Sequence, residues 1–354
     1  MKKFTDVLRA VAVVGLVPMM TVQQSLAWGV DGHHTINRLA GQTLPADVPA
    51  FLRSPDALDA MSYYAPLPDH WRSPAAPELT VATAPEHFIQ LETVDQIFKT
   101  LPRNRYDYVR ALAAAQPAHP DLVLTAEKVG LQPYQADEVW ERLLIGMRDY
   151  RELVAEKQDT KNVETEIVFL AGWLGHYVGD GSMPLHTSDK PNGWIGPNPN
   201  GYTTEHYIHG LFESKFVAAN VKLSDVAPLV DTKPVVIDDV FEQYVGYLRH
   251  THSYVEKTYA LEKVGAFTGA GTPEGKELVD QQLAAAATEL RDLIYTAWAK
   301  SANPLPERHY TRWGFGGRNR DARDRGCCHA HLCCVYGCVY GSVYCAVPTK
   351  VVML

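Results

Sequence analysis

The sequence predicts an all-α protein, a single-domain helical bundle with long loops that extends from Trp28 to about residue 310. Residues 104–115 and 136–157 carry apolar side chains at three- and four-residue spacing, the period of an amphipathic helix. Residues 163–180 are apolar almost all round, so this segment is expected to be the central helix. No alternating run of apolar and polar residues predicts a strand.

Further helices are predicted from shorter patterns, at 34–42, 56–61, 204–219, 238–262 and 275–300. Five prolines between Pro66 and Pro85 are expected to break the chain into loops there. Residues 191–203, with the sequence PNGWIGPNPNGYT, are predicted to form another loop because proline, glycine and asparagine favour turns.

The composition is that of an ordinary globular protein. The 354 residues include 33 Lys and Arg against 41 Asp and Glu, and 46% are hydrophobic, which excludes a disordered or collagen-like chain. Residues 1–306 carry 26 basic and 38 acidic side chains. This balance argues against a long groove for duplex nucleic acid, which needs a basic stripe. It is compatible with a small site whose positive charge comes from metal ions.

Residues 1–27 have the pattern of an export signal peptide. A basic start is followed by the apolar residues 10–22, and small residues occupy the two positions that a signal peptidase reads, ending at Ala27. The apolar run is too short for a membrane anchor. We therefore expect a mature chain that begins at Trp28 and a secreted or periplasmic protein.

Residues 311–354 do not resemble the rest of the chain. All 6 cysteines lie between Cys327 and Cys345, so no disulfide framework can stabilise the main domain. The segment CCHAHLCC offers metal ligands, but its spacing matches no zinc pattern. We therefore interpret these residues as a low-complexity, cysteine-rich tail outside the fold.

Two pairs of residues combine an imidazole and a carboxylate at helical spacing. His176 and Asp180 are four residues apart, and so are His209 and Glu213, so each pair should project from one helix face. One such pair is more often a surface pair or a satisfied core pair. Two pairs, with His186 between them, are what a zinc site in the core of a helical bundle needs.

The predicted mature N-terminus adds further candidate ligands. A free amino group on Trp28 can bind a metal ion once it is deprotonated, and His33 follows five residues later. Asp69, in LPDHWR, and His87, in PEHFIQLE, would each mean little alone. Together with the two helical pairs they form an inventory of nitrogen and oxygen ligands that suits zinc.

In this order the motifs resemble the superfamily of zinc-dependent phospholipases C and single-strand-specific zinc nucleases. The chain has WGxxGH from Trp28, DxxR from Asp69, HF at His87, HxxxD from His176 with a following PLH, and HxxxE from His209. The resemblance covers residues 28–220. It implies an all-α fold with a trinuclear zinc cleft and an exported phosphodiesterase that binds three Zn²⁺ ions.

The resemblance assigns ligands to each of the three zinc ions. The first would be bound by Asp69, His87, His176 and Asp180. The second would be bound by the amino nitrogen and carbonyl oxygen of Trp28, with His33 and Asp180. The third would be bound by His186, His209 and Glu213.

The predicted catalytic residues are Asp69, Arg72 and Asp180. Two zinc ions that share the Asp180 carboxylate can bind a water between them and lower its pKa to near 7, which supplies a nucleophile. Arg72 would stabilise the negative charge that develops on the phosphate.

The substrate is predicted from a few positions at which the two arms of the superfamily differ. Phe88 resembles the aromatic residue on which the nucleases stack a base. Gln90 stands where they usually have aspartate, and its amide can still pair with a base edge. Glu213 instead resembles the phospholipases, and so does the absence of cysteine from the main domain. We favour an endonuclease acting on single-stranded nucleic acid or nucleotides, with phospholipase C and a non-catalytic zinc-binding protein as alternatives, and infer no stable protein partner.

Overall fold

A computed structural model describes residues 28–305, and this part of the chain is mostly helical, as predicted. Its helices are labelled α1 to α15 in chain order. They are Gly29–Gln42 (α1), Pro55–Tyr64 (α2), Leu67–Trp71 (α3), Pro77–Thr83 (α4), Leu91–Ile97 (α5), Arg105–Ala115 (α6), Ala126–Val129 (α7), Gln132–Ala155 (α8), Lys161–Ser182 (α9), Ile208–Gly210 (α10), Val217–Asn220 (α11), Leu223–Val226 (α12), Val240–His252 (α13), Val255–Lys263 (α14) and Pro273–Lys300 (α15).

The predicted signal peptide and cysteine-rich tail lie outside the described residues. Residues 28–303 belong to one compact unit. Within residues 28–305, every helix is too short or too polar to cross a membrane.

Helix α9 lies at the centre of the bundle, as its nearly uniform apolar surface predicts. It packs against α1, α2, α8 and α15. On the facing side of α8, Val139, Leu143 and Met147 are completely buried. Burial of this kind contributes about 1.5–3 kcal/mol for each large apolar side chain, which makes packing the main stabilisation of these helices.

Glycines on α9 let α1 approach closely. A Cβ atom at Gly175 would lie 2.0 Å from the Asn37 side-chain oxygen, and one at Gly179 would lie 2.8 Å from His33 Nδ1. Asn37 uses this closeness to donate to the carbonyls of Met61 and Gly172, at 2.9 Å each. The glycine spacing on α9 therefore brings His33 of α1 against the centre of the bundle.

Side-chain caps and prolines mark where several helices begin. Ser54, Asn104, Asp239 and Thr272 each accept a hydrogen bond from a backbone N–H in the first turn of the helix that follows.

The segment between Pro66 and Pro85 was expected to consist of loops, and this expectation was wrong. It contains α3, α4 and a 3₁₀ helix, Ala84–His87, because each has its proline in the first turn, where no N–H is needed.

The predicted helix over 238–262 is in fact two helices, α13 and α14, which are separated at Ser253 and Tyr254. Neither proline nor glycine occurs at the break, so the periodic pattern continues across it. The reason lies in packing, since Tyr259 of α14 is fully buried and its hydroxyl donates to the carbonyl of Lys190 in a distant loop.

Among residues 28–305, extended pairing is limited to one isolated antiparallel bridge between Ile89 and Gly130. Gly130 has φ of 99°, and a Cβ atom there would lie 2.0 Å from the carbonyl oxygen of Phe88. Glycine is therefore required for this close approach. The bridge holds the chain that follows His87 against the start of α8.

Candidate metal centre

Asp180 lies at the centre of a buried group of histidines. Its Oδ2 atom is 3.0 Å from His87 Nδ1 and 3.4 Å from His176 Nε2. Its Oδ1 atom is 3.5 Å from His33 Nε2, and Oδ2 is 3.9 Å from His186 Nδ1. His176 and Asp180 face each other because they are one turn apart on α9. One carboxylate is thus within reach of four imidazoles.

Asp69 and Arg72 reach the same group from the C-terminal end of α3. Asp69 Oδ1 is 3.7 Å from His87 Nδ1 and 4.0 Å from His176 Nε2. Arg72 Nη1 is 3.4 Å from Asp69 Oδ1. The Asp69 side chain is almost fully buried, whereas that of Arg72 keeps 23% of its surface exposed. Arg72 therefore connects the buried group to the solvent side.

A second buried cluster combines His186, His209 and Glu213. Glu213 Oε2 is 3.1 Å from His209 Nε2 and 3.6 Å from His186 Nε2. The segment that carries Glu213, Leu211–Phe216, is a π-helix rather than the regular helix predicted over 204–219. Single π-turns of this kind occur often at functional sites. His186 belongs to a 3₁₀ helix, Pro184–Thr187, that follows the end of α9.

All eight of these histidine and carboxylate residues fall into groups that can hold metal ions. Three groups have their ligand atoms within 4.8 Å of one another. They are His33, Asp69 and His176; His87, His176 and Asp180; and His186, His209 and Glu213.

The third group is the ligand set expected for the third zinc ion. The first two divide the ligands differently from the expected assignment, because His176 belongs to both and His33 is grouped with Asp69. Asp180 is nonetheless near His33 as well as His87 and His176. The sharing of Asp180 between two metal ions stays a prediction.

Backbone carbonyls orient three of the imidazoles. His176 Nδ1 donates to the Ala65 carbonyl at 2.9 Å, and His186 Nδ1 donates to the His87 carbonyl at 2.6 Å. His209 Nδ1 donates to the carbonyl of Pro191 at 2.8 Å. A proton on Nδ1 leaves the lone pair of Nε2 available, which is the arrangement usual for metal-binding histidines.

Burial and neighbouring charges shift the pKa values of the side chains in the first two groups. Burial lowers the pKa of His176 well below its usual value, although the nearby Asp180 carboxylate opposes this shift. Burial and the Asp180 carboxylate raise the pKa of Asp69 well above its usual value. Burial would also raise the pKa of Asp180, but His176 and His186 outweigh it and hold this pKa well below its usual value. A buried cation would stabilise the ionised form of both carboxylates.

Burial by itself would lower the pKa of His186, but the carboxylates of Asp180 and Glu213 outweigh it and raise that pKa to about 9.

Several polar atoms around Asp180 have no hydrogen-bond partner within residues 28–305. They are both ring nitrogens of His33, Asp69 Oδ2, His87 Nε2, Asp180 Oδ1 and His186 Nε2. Buried polar atoms without partners are costly, so these atoms and the donor chemistry fit bound metal ions.

The Trp28 side chain is completely buried beside this centre. Its indole N–H donates to the carbonyl of Gly179 at 2.7 Å and to Ser182 Oγ at 2.8 Å. The Trp28 carbonyl accepts the Gly32 N–H at 3.1 Å, which leaves the oxygen a second lone pair. Trp28 therefore lies next to the residue that precedes Asp180. Metal binding by its amino nitrogen and carbonyl oxygen stays a prediction.

A cavity of about 430 Å³ opens over the centre. The expected substrate residues Phe88 and Gln90 line it, together with Arg72. The sequence analysis did not identify Lys128, Ser188 and Asn192, which also line it. They belong to irregular segments or a one-turn helix, where no spacing pattern could have indicated them.

The fold and this centre define an all-α protein with three buried groups of histidine and carboxylate side chains that can hold metal ions. No family model matches the chain, and no curated protein is significantly similar to it in sequence. The resemblance to the zinc-dependent phospholipases and nucleases therefore rests on the motifs alone.

Proposed function

We propose that the chain is an exported zinc-dependent phosphodiesterase that binds three Zn²⁺ ions and hydrolyses single-stranded DNA or RNA as an endonuclease. One observation carries the proposal. Five buried histidines and three buried carboxylates converge below a single cavity, and Arg72 lines that cavity beside them. Structural zinc sites are usually closed four-ligand sites, whereas this one adjoins a cavity large enough for part of a substrate.

Zinc ions bound by these groups would polarise the phosphate and lower the pKa of a bound water to near 7. Side chains of the protein would bind the phosphate and orient the metal ligands. The Arg72 guanidinium can bind two phosphate oxygens at once through its planar arrangement of donors. Asp69 accepts from Arg72 and so orients the guanidinium toward the cavity. The Nδ1 bonds of His176, His186 and His209 keep their Nε2 atoms directed inward.

The lining of the cavity favours a nucleic acid over a phospholipid. Half-buried Phe88 offers a ring face on which a base can stack, a contact worth about 1–3 kcal/mol. Gln90 and Asn192 add amide groups that can hydrogen-bond to base edges, and Lys128 adds a cation for a neighbouring phosphate. The alternative, a phospholipase C, is favoured by glutamate rather than aspartate at position 213.

The proposed function is tested by measuring hydrolysis of single-stranded DNA, RNA and phosphatidylcholine side by side. We expect cleavage of the nucleic acids, loss of activity with a chelator and recovery with zinc. Exclusive cleavage of phosphatidylcholine would support the phospholipase alternative. Zinc-loaded protein that cleaves none of the three substrates would contradict the phosphodiesterase function.

Extension of the N-terminus is expected to impair metal binding. Protein made without the signal peptide but with Met before Trp28 has an amide where the mature chain would have an amine, and an amide nitrogen is neither basic nor easily deprotonated. Because the buried Trp28 side chain fixes this position beside Gly179, we expect fewer than three zinc ions and poor turnover. Enzymatic removal of the extra Met should restore both. Equal zinc content and activity in the two forms would indicate a centre built from side chains alone.

A further inference from the structure

The third group depends on an irregular segment, residues 188–193, which lies between its two histidines in the chain. The Pro191 carbonyl accepts from His209 Nδ1 at 2.8 Å, and Asn192 Oδ1 accepts from the His209 backbone N–H at 3.3 Å. These contacts set both the orientation and the tautomer of His209. Its Nε2 atom faces Glu213 only while the segment holds its position.

Glu92, in the first turn of α5, binds the start of this segment with both oxygens of its carboxylate. Oε1 accepts from Ser188 Oγ at 2.6 Å, and Oε2 accepts from the Asp189 backbone N–H at 2.9 Å. The Lys190 ammonium lies 3.5 Å from Oε1. Hydrogen bonds to an ionised acceptor are roughly twice as strong as neutral ones. Glu92 is thus a strong anchor for a segment without regular structure of its own.

Tyr259 anchors the segment on both sides of Pro191. Its hydroxyl donates to the Lys190 carbonyl at 2.7 Å and accepts from the Gly193 N–H at 3.0 Å. The Pro191 carbonyl that orients His209 therefore depends on two anchors, Glu92 just before it in the chain and Tyr259 on either side of it. Glu92 is the only one of the two that contacts the segment through a charge.

We propose that Glu92 is a positioning residue for the third metal ion, acting on His209 through the backbone of residues 188–191. The inference rests on the metal binding of the proposed function but not on its substrate. Without Glu92, the start of the segment loses two hydrogen bonds, and the Tyr259 hydroxyl alone holds the backbone on either side of Pro191, so the position of the Pro191 carbonyl is less tightly fixed. His209 can then rotate or adopt the other tautomer, and its Nε2 lone pair is lost to the metal.

The test is zinc binding by Glu92→Ala and Glu92→Gln, measured by chelator competition and by zinc content at limiting free zinc. The glutamine variant keeps the size of the side chain but has no charge and only one acceptor oxygen, so it cannot accept from both the Ser188 hydroxyl and the Asp189 N–H. We expect one zinc ion to bind about 10–100-fold more weakly, the usual effect of changing a residue that orients a ligand, while the other two keep their affinity. His209→Ala should weaken the same ion and identifies it as the third.

Asp95→Asn provides the matched control. Asp95 lies on the same helix and forms its ion pair with Arg249, at 2.6 Å on the surface, and not with residues 188–193. The Asp95→Asn variant should bind three zinc ions like the wild type. If the Glu92 variants bind three zinc ions with unchanged affinity, or if all three ions bind more weakly, the role of Glu92 is overturned but the proposed function is not. Wild-type protein that binds no zinc would contradict the proposed function as well.

Discussion

Replacing Asp180 with alanine is expected to empty two of the three groups and to lower the rate of phosphodiester hydrolysis by about 10⁴–10⁶-fold. The carboxylate lies 3.0 Å from His87, 3.4 Å from His176 and 3.5 Å from His33, so one residue serves ligands of both groups. Removal of one member of a catalytic set that acts as a unit has effects of this order. Zinc content and kcat on single-stranded DNA measure the two effects.

Asp59→Ala is the matched control for this change. Asp59 is largely exposed on α2 and pairs with Arg38 on the surface. Such pairs contribute about 0–1 kcal/mol, so zinc content and kcat should stay at the wild-type level. The third group, which contains Glu213, should keep its ion in the Asp180 variant. A loss of only one zinc ion would show that Asp180 is not shared between two metals.

Arg72→Lys is expected to lower kcat by about 10²-fold or more, with a smaller change in KM. Lysine keeps the positive charge but lacks the planar set of donors that binds two phosphate oxygens at once. The expected loss is that of removing one preorganised donor to the transition state. Arg72 is suited to this role because it lines the cavity while its Nη1 atom is 3.4 Å from Asp69. Steady-state kinetics on single-stranded DNA would measure the change.

Two controls distinguish stabilisation of the transition state by Arg72 from other roles of this residue. Arg110→Lys, on an exposed face of α6, should leave both kinetic constants unchanged. Zinc content of the Arg72 variant should also stay at three, because the guanidinium binds no metal. An increase in KM alone would mean that Arg72 binds the ground-state phosphate. A lower zinc content would mean that it acts by orienting Asp69.

Much of the helical framework could be predicted from periodicity, because a long amphipathic or apolar pattern leaves few alternatives. Helices α8, α9 and α15 begin and end within a few residues of the predicted segments. His176 and Asp180 face each other because four-residue spacing is a local property of an α-helix. The short helices α3 and α4 were missed since a proline indicates a break equally well before a helix and inside a loop.

The sequence alone determined the candidate ligands. Residue type and spacing indicated the two helical pairs, His186 and His33, and the resemblance to the zinc-dependent superfamily added His87 and Asp69. Only the tertiary structure decided how they meet. His33 reaches His176 because glycines on α9 admit α1, and Glu213 reaches His209 through a π-helical segment. The tautomer of His209 depends on a carbonyl 18 residues away in the chain. Such contacts join distant, irregular segments, and they are set by packing of the whole chain rather than by any local pattern.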